Sequence, residues 1–320
     1  MRNIYMKAAL CFIISYEHIL KKENIWKTWI KENQDILNIY FYYKDFNKIK
    51  SQWIRKHCIP NKYIYDTTYY HIIPAYISIM KYAMDHDPEN QWFCLLTDSC
   101  CPIISPLKFR RIFYTFHAKS FFSWKKAWWN VSFHKRANLR LLKEEYQLAN
   151  DPWFVIQRED VNVCLQYYVV NHETTKLVCE GGLANESLFA IMLHHANRLH
   201  HVINSVSHIT DWSRMASPTS PHLFVNANER DIQFIEKSLK NPHALFIRKI
   251  SSEFPDKILE HYIYAFSEDK PITFLLFMYV SFCSWQKFIY FLTVKILSYI
   301  FFNNFCIFMF LPITSLLGKR

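Results

Sequence analysis

Glycine is almost missing from this chain. Of 320 residues three are glycine, and two of those, Gly181 and Gly182, are adjacent. That excludes the G-x-G-x-x-G dinucleotide fingerprint and the G-x-x-x-x-G-K-[ST] phosphate loop, which need glycine where backbone closes on phosphate. Phosphate, if bound, must be held by side chains or helix ends. The nine cysteines contain no C-x-x-C, and their odd number argues against a complete disulfide framework. No D-x-D triplet follows a strand-like run; the one at 85–87 lies at a helix end just before Pro88. His194-His195 and His200-His201 lack a matching carboxylate pattern, so no metal site is expected. Acidic residues are in the minority, 27 against 38 Lys and Arg, for a net charge of +11. Such a balance suits an anionic partner, although a lysine-rich coding bias gives the same excess. The aromatics lie inside apolar runs and are not interleaved with a basic patch, which disfavours nucleic acid. The apolar run at 8–14 is short and lacks a small-residue cleavage site, so it reads as a buried strand and not as a signal peptide.

What is abundant is apolar surface. The chain is 51% hydrophobic and 18% aromatic, enough for a sizeable core and too much for disorder. KAALCFII, ILNIYFYY at 36–43, WFCLLT at 92–97, SFFSW and WFVI read as strands. Helical segments fall between them: one holding Ile25, Trp26, Trp29 and Ile30, one over 71–85, and REDVNVCLQYYVV from Arg158. Strands with continuous apolar runs alternating with helices predict an α/β fold, a mostly parallel sheet covered on both faces. From Ile272 to Leu317 the chain is almost wholly apolar, and 288–312 is long enough to span a bilayer. We therefore divide the chain into a domain at 1–270 and a hydrophobic, membrane-associated helical tail at 271–320, with a buried pair of helices as the other reading.

Ligands of such sheets sit at the carboxyl ends of strands. The polar residues there are Ser15 to His18, Lys44-Asp45, Asp98 to Pro102 and Gln157-Arg158. In CEGGLANESLFAIMLHH, 179–195, Asn185 is a good N-cap and Glu186 then falls in the first helical turn. The helix dipole favours the charged carboxylate there. Glu186 thus suits a general base taking a proton from an alcohol, with the pair of glycines admitting a bulky acceptor; an ordinary helix-start glutamate is the alternative. Arg214 lies in the Pro- and Ser-rich loop at 209–224, and Arg248-Lys249 end the apolar run ALFI. Fixed cations of this kind hold and neutralise a departing diphosphate.

Five segments, taken in order, resemble one family. WFCLLTDSCCPI, DPWFVIQREDVNVCL, CEGGLANESLFAIML, HITDWSRMASPTSPHLF and ALFIRKISSEF are similar to segments of the Core-2/I-branching enzymes, which include branching N-acetylglucosaminyltransferases and xylosyltransferases. The resemblance covers roughly residues 7 to 255. It implies a single glycosyltransferase A-type domain, inverting and independent of metal. The donor would be a UDP-sugar, of N-acetylglucosamine or xylose, with no other cofactor, and the acceptor a hydroxyl of a glycan or glycoprotein. Glu186 maps to the family's base and Lys249 to its closing lysine. Arg214 and Arg248 are candidates for the arginine, while Asp98 and Ser99 would lie near the sugar nucleotide. With the hydrophobic tail at 271–320, a membrane-associated place in the Golgi or another endomembrane is expected. The sequence departs from the plant-type pattern at Asp151-Pro152, where those proteins have Gly-Ser, and in placing its hydrophobic segment last. The alternative is a catalytically inactive, membrane-tethered carbohydrate-binding module of the same fold.

Overall fold

A computed structural model describes residues 6–14, 16–217 and 220–265. The expected membrane-associated tail lies outside the described residues. No helix among the described residues is long and apolar enough to cross a membrane. The first compact unit of the chain runs to Ala265.

Its centre is a four-stranded sheet. Strand β1 (Lys7–Ile13) pairs in parallel with β2 (Leu37–Tyr42) on one side and β3 (Asn90–Thr97) on the other. The crossovers carry α1 (Glu23–Lys31), the short α2 (Gln52–Lys56) and α3 (Ile73–His86). Helices therefore cover both faces, which is why the strands are apolar without alternation. On one face Ala9, Cys11 and Ile13 of β1 pack with Tyr76, Ile79 and Met80 of α3. On the other, Phe12 meets the Trp26 ring edge-on at 4.9 Å and stacks on Phe41 at 4.8 Å.

Some helix starts are capped by their own sequence. In α4 (Pro106–Phe116) the Lys108 amide donates to Ser105 Oγ at 3.1 Å, and proline occupies the first turn, where its missing N–H costs nothing. Strand β4 (Cys101–Pro102) precedes this helix, and β5 (Trp124–Lys126) and β6 (Leu148–Asn150) follow it as an antiparallel pair. Of the expected SFFSW strand only Trp124 enters a ladder, and Phe121 makes single bridges to Val155 and Ile203. Strand β7 (Val155–Gln157) closes the main sheet beside β3, antiparallel to it. Helix α5 (Arg158–Val170) begins at the arginine where the sequence places it, capped by Gln157 Oε1, which accepts from the Glu159 amide at 3.0 Å.

Two helices follow, α6 (His172–Glu180) and α7 (Leu188–His195). Then come β8 (His208–Thr210), α8 (Glu229–Ser238), β9 (Phe246–Arg248) and α9 (Asp256–Glu260). A second sheet has the order β4-β9-β8; the apolar run ALFI leads into β9 as the sequence expects, but which strands pair was not legible, because they are two or three residues long. It is held to the first by buried indoles. Trp26 Nε1 donates to the Cys100 carbonyl and Trp29 Nε1 to that of Ile104, both at 2.9 Å. The seven described cysteines are all free thiols.

Candidate active site

One cavity of about 160 Å³ gathers the ends of three strands. Ile13 comes from β1, Thr97 and Asp98 from β3, and Arg248 and Lys249 from β9. Glu186 faces the same cavity from the opposite part of the sequence, with Leu183 and Asn185. Tyr16, Tyr69, Trp153 and Trp212 also line it. Pro152, Trp153, Trp212 and Arg248 are shared with a second cavity of about 480 Å³, which reaches His208, Lys237 and Asn241.

Asp98 is fixed through its own backbone, since its carbonyl accepts from the Lys21 amide at 3.0 Å. Lys21 Nζ also lies 3.7 Å from its carboxylate. Burial nevertheless pushes the Asp98 carboxyl above its ordinary range, with Glu17 adding to the rise and Lys21 opposing it. Lys249 donates from Nζ to Ser220 Oγ at 2.8 Å, and burial, aided by the neighbouring Arg248, lowers its pKa. Arg248 is only 6% exposed. Its guanidinium has neither a hydrogen bond nor an ion pair among the described residues, and its Nε is buried without a partner. What it has is the Trp153 ring, 5.2 Å from Cζ, and the longer-range attraction of Asp98 and Asp151, whose carboxyls its charge holds down against burial. A desolvated cation that no carboxylate contacts directly is costly, and an anion brought against it lowers the cost.

Glu186 is not in the first turn of α7. It ends a 3-10 turn, Ala184–Glu186, and Ser187 stands at the N-cap of the helix, without a side-chain capping bond. Asn185 is instead buried, its carbonyl accepting from Asn150 Nδ2 at 2.9 Å. The helix dipole is therefore not the main source of positive potential at this carboxylate. Arg136 is, through an ion pair from Nη2 to Glu186 Oε2.

Two candidate residues are placed elsewhere. Arg214 donates from Nε to Asp211 at 2.6 Å and from Nη1 to Asp231 at 2.7 Å, and it does not line the cavity of Glu186. Both carboxylates are buried, so this pairing ties the loop after β8 to α8. Ser99 is buried beneath the cavity, its Oγ 3.0 Å from Thr97 Oγ1 and its carbonyl accepting from Ile250 N. The residues that sequence reasoning passed over are Trp153, Trp212 and Arg136. Arg136 lies in WKKAWWNVSFHKR, where, against the expectation that aromatics are not interleaved with basic residues, the two fall together, and that segment was the available signal. Among the described residues no group of three or more His, Cys, Asp or Glu side chains is arranged to hold a metal ion.

His208 lines the second cavity and is buried, with its Nδ1 3.0 Å from Ser207 Oγ. Burial, with Arg248 adding, pulls its pKa from 6.5 down to about 3. Unfolding restores the ordinary value, so the unfolded chain binds the extra proton between the two. The stability this residue supports is full above pH ~6.5 and is lost progressively as pH falls toward 3, at up to about 1.4 kcal/mol per pH unit. His208→Gln is expected to lose less stability than the wild type between pH 7 and 5 in urea titrations. Equal losses would show that another group governs the acid limb.

Glu186, Asp98, Arg248 and Lys249 thus line one cavity, where the carboxyl ends of β1 and β3 meet the end of β9. The chain belongs to the Core-2/I-branching enzyme family, whose model matches residues 10–237. That range contains Asp98, Arg136 and Glu186; Arg248 and Lys249 lie just beyond it. The family is one of glycosyltransferases, with nucleotide-sugar donors and glycan acceptors. No curated protein matches the sequence significantly.

Proposed function

We propose that the protein is an inverting, metal-independent glycosyltransferase. It would move a sugar, N-acetylglucosamine or xylose, from a UDP-sugar to a hydroxyl of a glycan or protein. The observation that carries this reading is Arg248, a buried guanidinium with no hydrogen bond or ion pair among the described residues, in the same cavity as Glu186. In a single displacement the acceptor oxygen forms a bond to the anomeric carbon while its proton passes to Glu186. The bond from that carbon to the diphosphate oxygen breaks on the opposite face, so the configuration inverts. UDP departs with the bonding pair, and Arg248 and Lys249 neutralise it, the task that a divalent cation performs in other transferases. Trp153 and Trp212 offer flat apolar faces beside the cations, suited to the C–H faces of sugar rings. The cavity walls carry Tyr16, Tyr69 and the two tryptophans, yet they leave open volume, which favours turnover over an inactive module. The same reading places the protein at an endomembrane through residues 271–320, on the sequence of that segment alone.

The test is a panel of nucleotide sugars with the full chain in EDTA. A cognate donor at about 100 times its dissociation constant is expected to raise the melting temperature by roughly 5–10 °C. Transfer to a glycan acceptor should then proceed in the chelator. Activity that vanishes in EDTA and returns with manganese would refute the metal-independent mechanism. No protection by any nucleotide sugar would refute the donor class.

A further inference from the structure

Gly181 is not where it is for flexibility. Its φ is −75°, open to any residue. What excludes a side chain is the backbone of Ala137 and Asn138, into which a Cβ at 181 would project. The Ala137 amide donates to the Gly182 carbonyl at 2.9 Å and lies 3.2 Å from that of Gly181. Asn138 Nδ2 donates to the Leu177 carbonyl at 2.8 Å. Both Ala137 and Asn138 have positive φ, 51° and 49°. Residues other than glycine hold that conformation only where the surroundings impose it. The loop is thus clamped onto the end of α6, and the residue immediately before the clamp is Arg136.

Arg136 carries that clamp to the carboxylate. Its Cζ lies 4.5 Å from the Trp129 ring and 5.6 Å from that of Trp128, so its planar guanidinium has little freedom. Nη2 takes Glu186 Oε2, and no described residue hydrogen-bonds Oε1. One carboxylate oxygen is held and the other is left for an incoming hydroxyl.

We infer that Arg136 is the positioning residue for Glu186, delivered by the backbone contact between Gly181 and Ala137. It orients the carboxylate and keeps it ionised, and it touches neither donor nor acceptor. This rests on the reading of Glu186 as the base, and the pair of glycines serves the base and not acceptor entry.

The experiment compares Arg136→Gln, Arg136→Lys and Gly181→Ala in the full chain, with two readouts. The first is the pH dependence of kcat/KM with a confirmed donor and acceptor. The second is the Glu186 carboxyl titration by carbon NMR, assigned with Glu186→Gln, which needs no turnover. Arg136→Gln is expected to raise both the acidic limb and the carboxyl pKa by about 1–3 units, since a vicinal guanidinium lowers a carboxylate by that much. Its kcat should fall roughly ten- to a hundredfold, with the donor KM unchanged, because a displaced base is a misaligned one. Arg136→Lys keeps the charge and should restore the limb while leaving kcat low. Gly181→Ala should reproduce Arg136→Gln. An unmoved limb and carboxyl pKa in Arg136→Gln, in an enzyme that Glu186→Gln inactivates, would overturn the role of Arg136. If Gly181→Ala folds and titrates like the wild type, the clamp is not what delivers it. If Glu186→Gln itself keeps full turnover, the base assignment has failed, and the NMR titration still reports whether Arg136 governs Glu186.

Discussion

Glu186→Gln is expected to reduce sugar transfer by about 10²–10⁴-fold while leaving nucleotide binding nearly unchanged. The amide preserves the size of the side chain. Its oxygen still accepts from Arg136, so the loop at 136–138 has no reason to move. What it cannot do is take the acceptor's proton. On the proposed reading the base meets the acceptor, whereas the diphosphate meets Arg248 and Lys249, which line the same cavity. Initial rates with a confirmed pair of substrates, set beside thermal protection by the nucleotide, separate the two effects. Wild-type turnover in this variant would mean that Glu186 only begins a helical segment. Asp98 is then the first candidate, because it lines the same cavity and its burial makes it more basic than an ordinary carboxylate.

The second large effect belongs to Arg248, and it has two signs. Arg248→Met should weaken donor binding about 10- to 150-fold, the loss of a charge-assisted hydrogen bond worth roughly 1.5–3 kcal/mol. The same substitution should stabilise the free protein, since an apolar side chain of similar length removes a desolvated charge that no carboxylate contacts directly. Urea unfolding without ligand and nucleotide titration measure the two halves. A variant that binds donor like the wild type would remove Arg248 from the site. A variant that loses stability would show that the guanidinium is satisfied within the fold. Lys249→Ala differs, because Lys249 already bonds Ser220. It should lower binding and turnover together, as expected for a cation that meets the diphosphate in both ground and transition states.

Stability and function thus pull against each other around Arg248, as they often do at sites shaped for a charged ligand. Arg214 is the contrast. It too is an arginine in a polar loop, yet Asp211 and Asp231 pair with its Nε and Nη1, and its part is to fasten the loop to α8. Chemical type does not distinguish the two. Their partners do.

The sequence by itself determined the layered α/β architecture, because a strand buried on both faces must be apolar along its middle, and 8–13, 39–42 and 92–96 are. It also determined the start of α5 at Arg158 and the family's ordered motifs. It placed Glu186, Asp98, Arg248 and Lys249 after strands or before a helix, and strand ends are where an α/β sheet opens. Tertiary structure decided which of the candidates meet. Strands of two or three residues, such as β4, β8 and β9, carry no periodicity of their own and exist through their neighbours. The role of Gly181 was equally invisible, since it depends on a backbone 43 residues earlier in the chain, at Asn138. Local sequence sets propensity and periodicity. The close approach of two distant backbones, which brings Arg136 to Glu186, is a property of the packed chain alone.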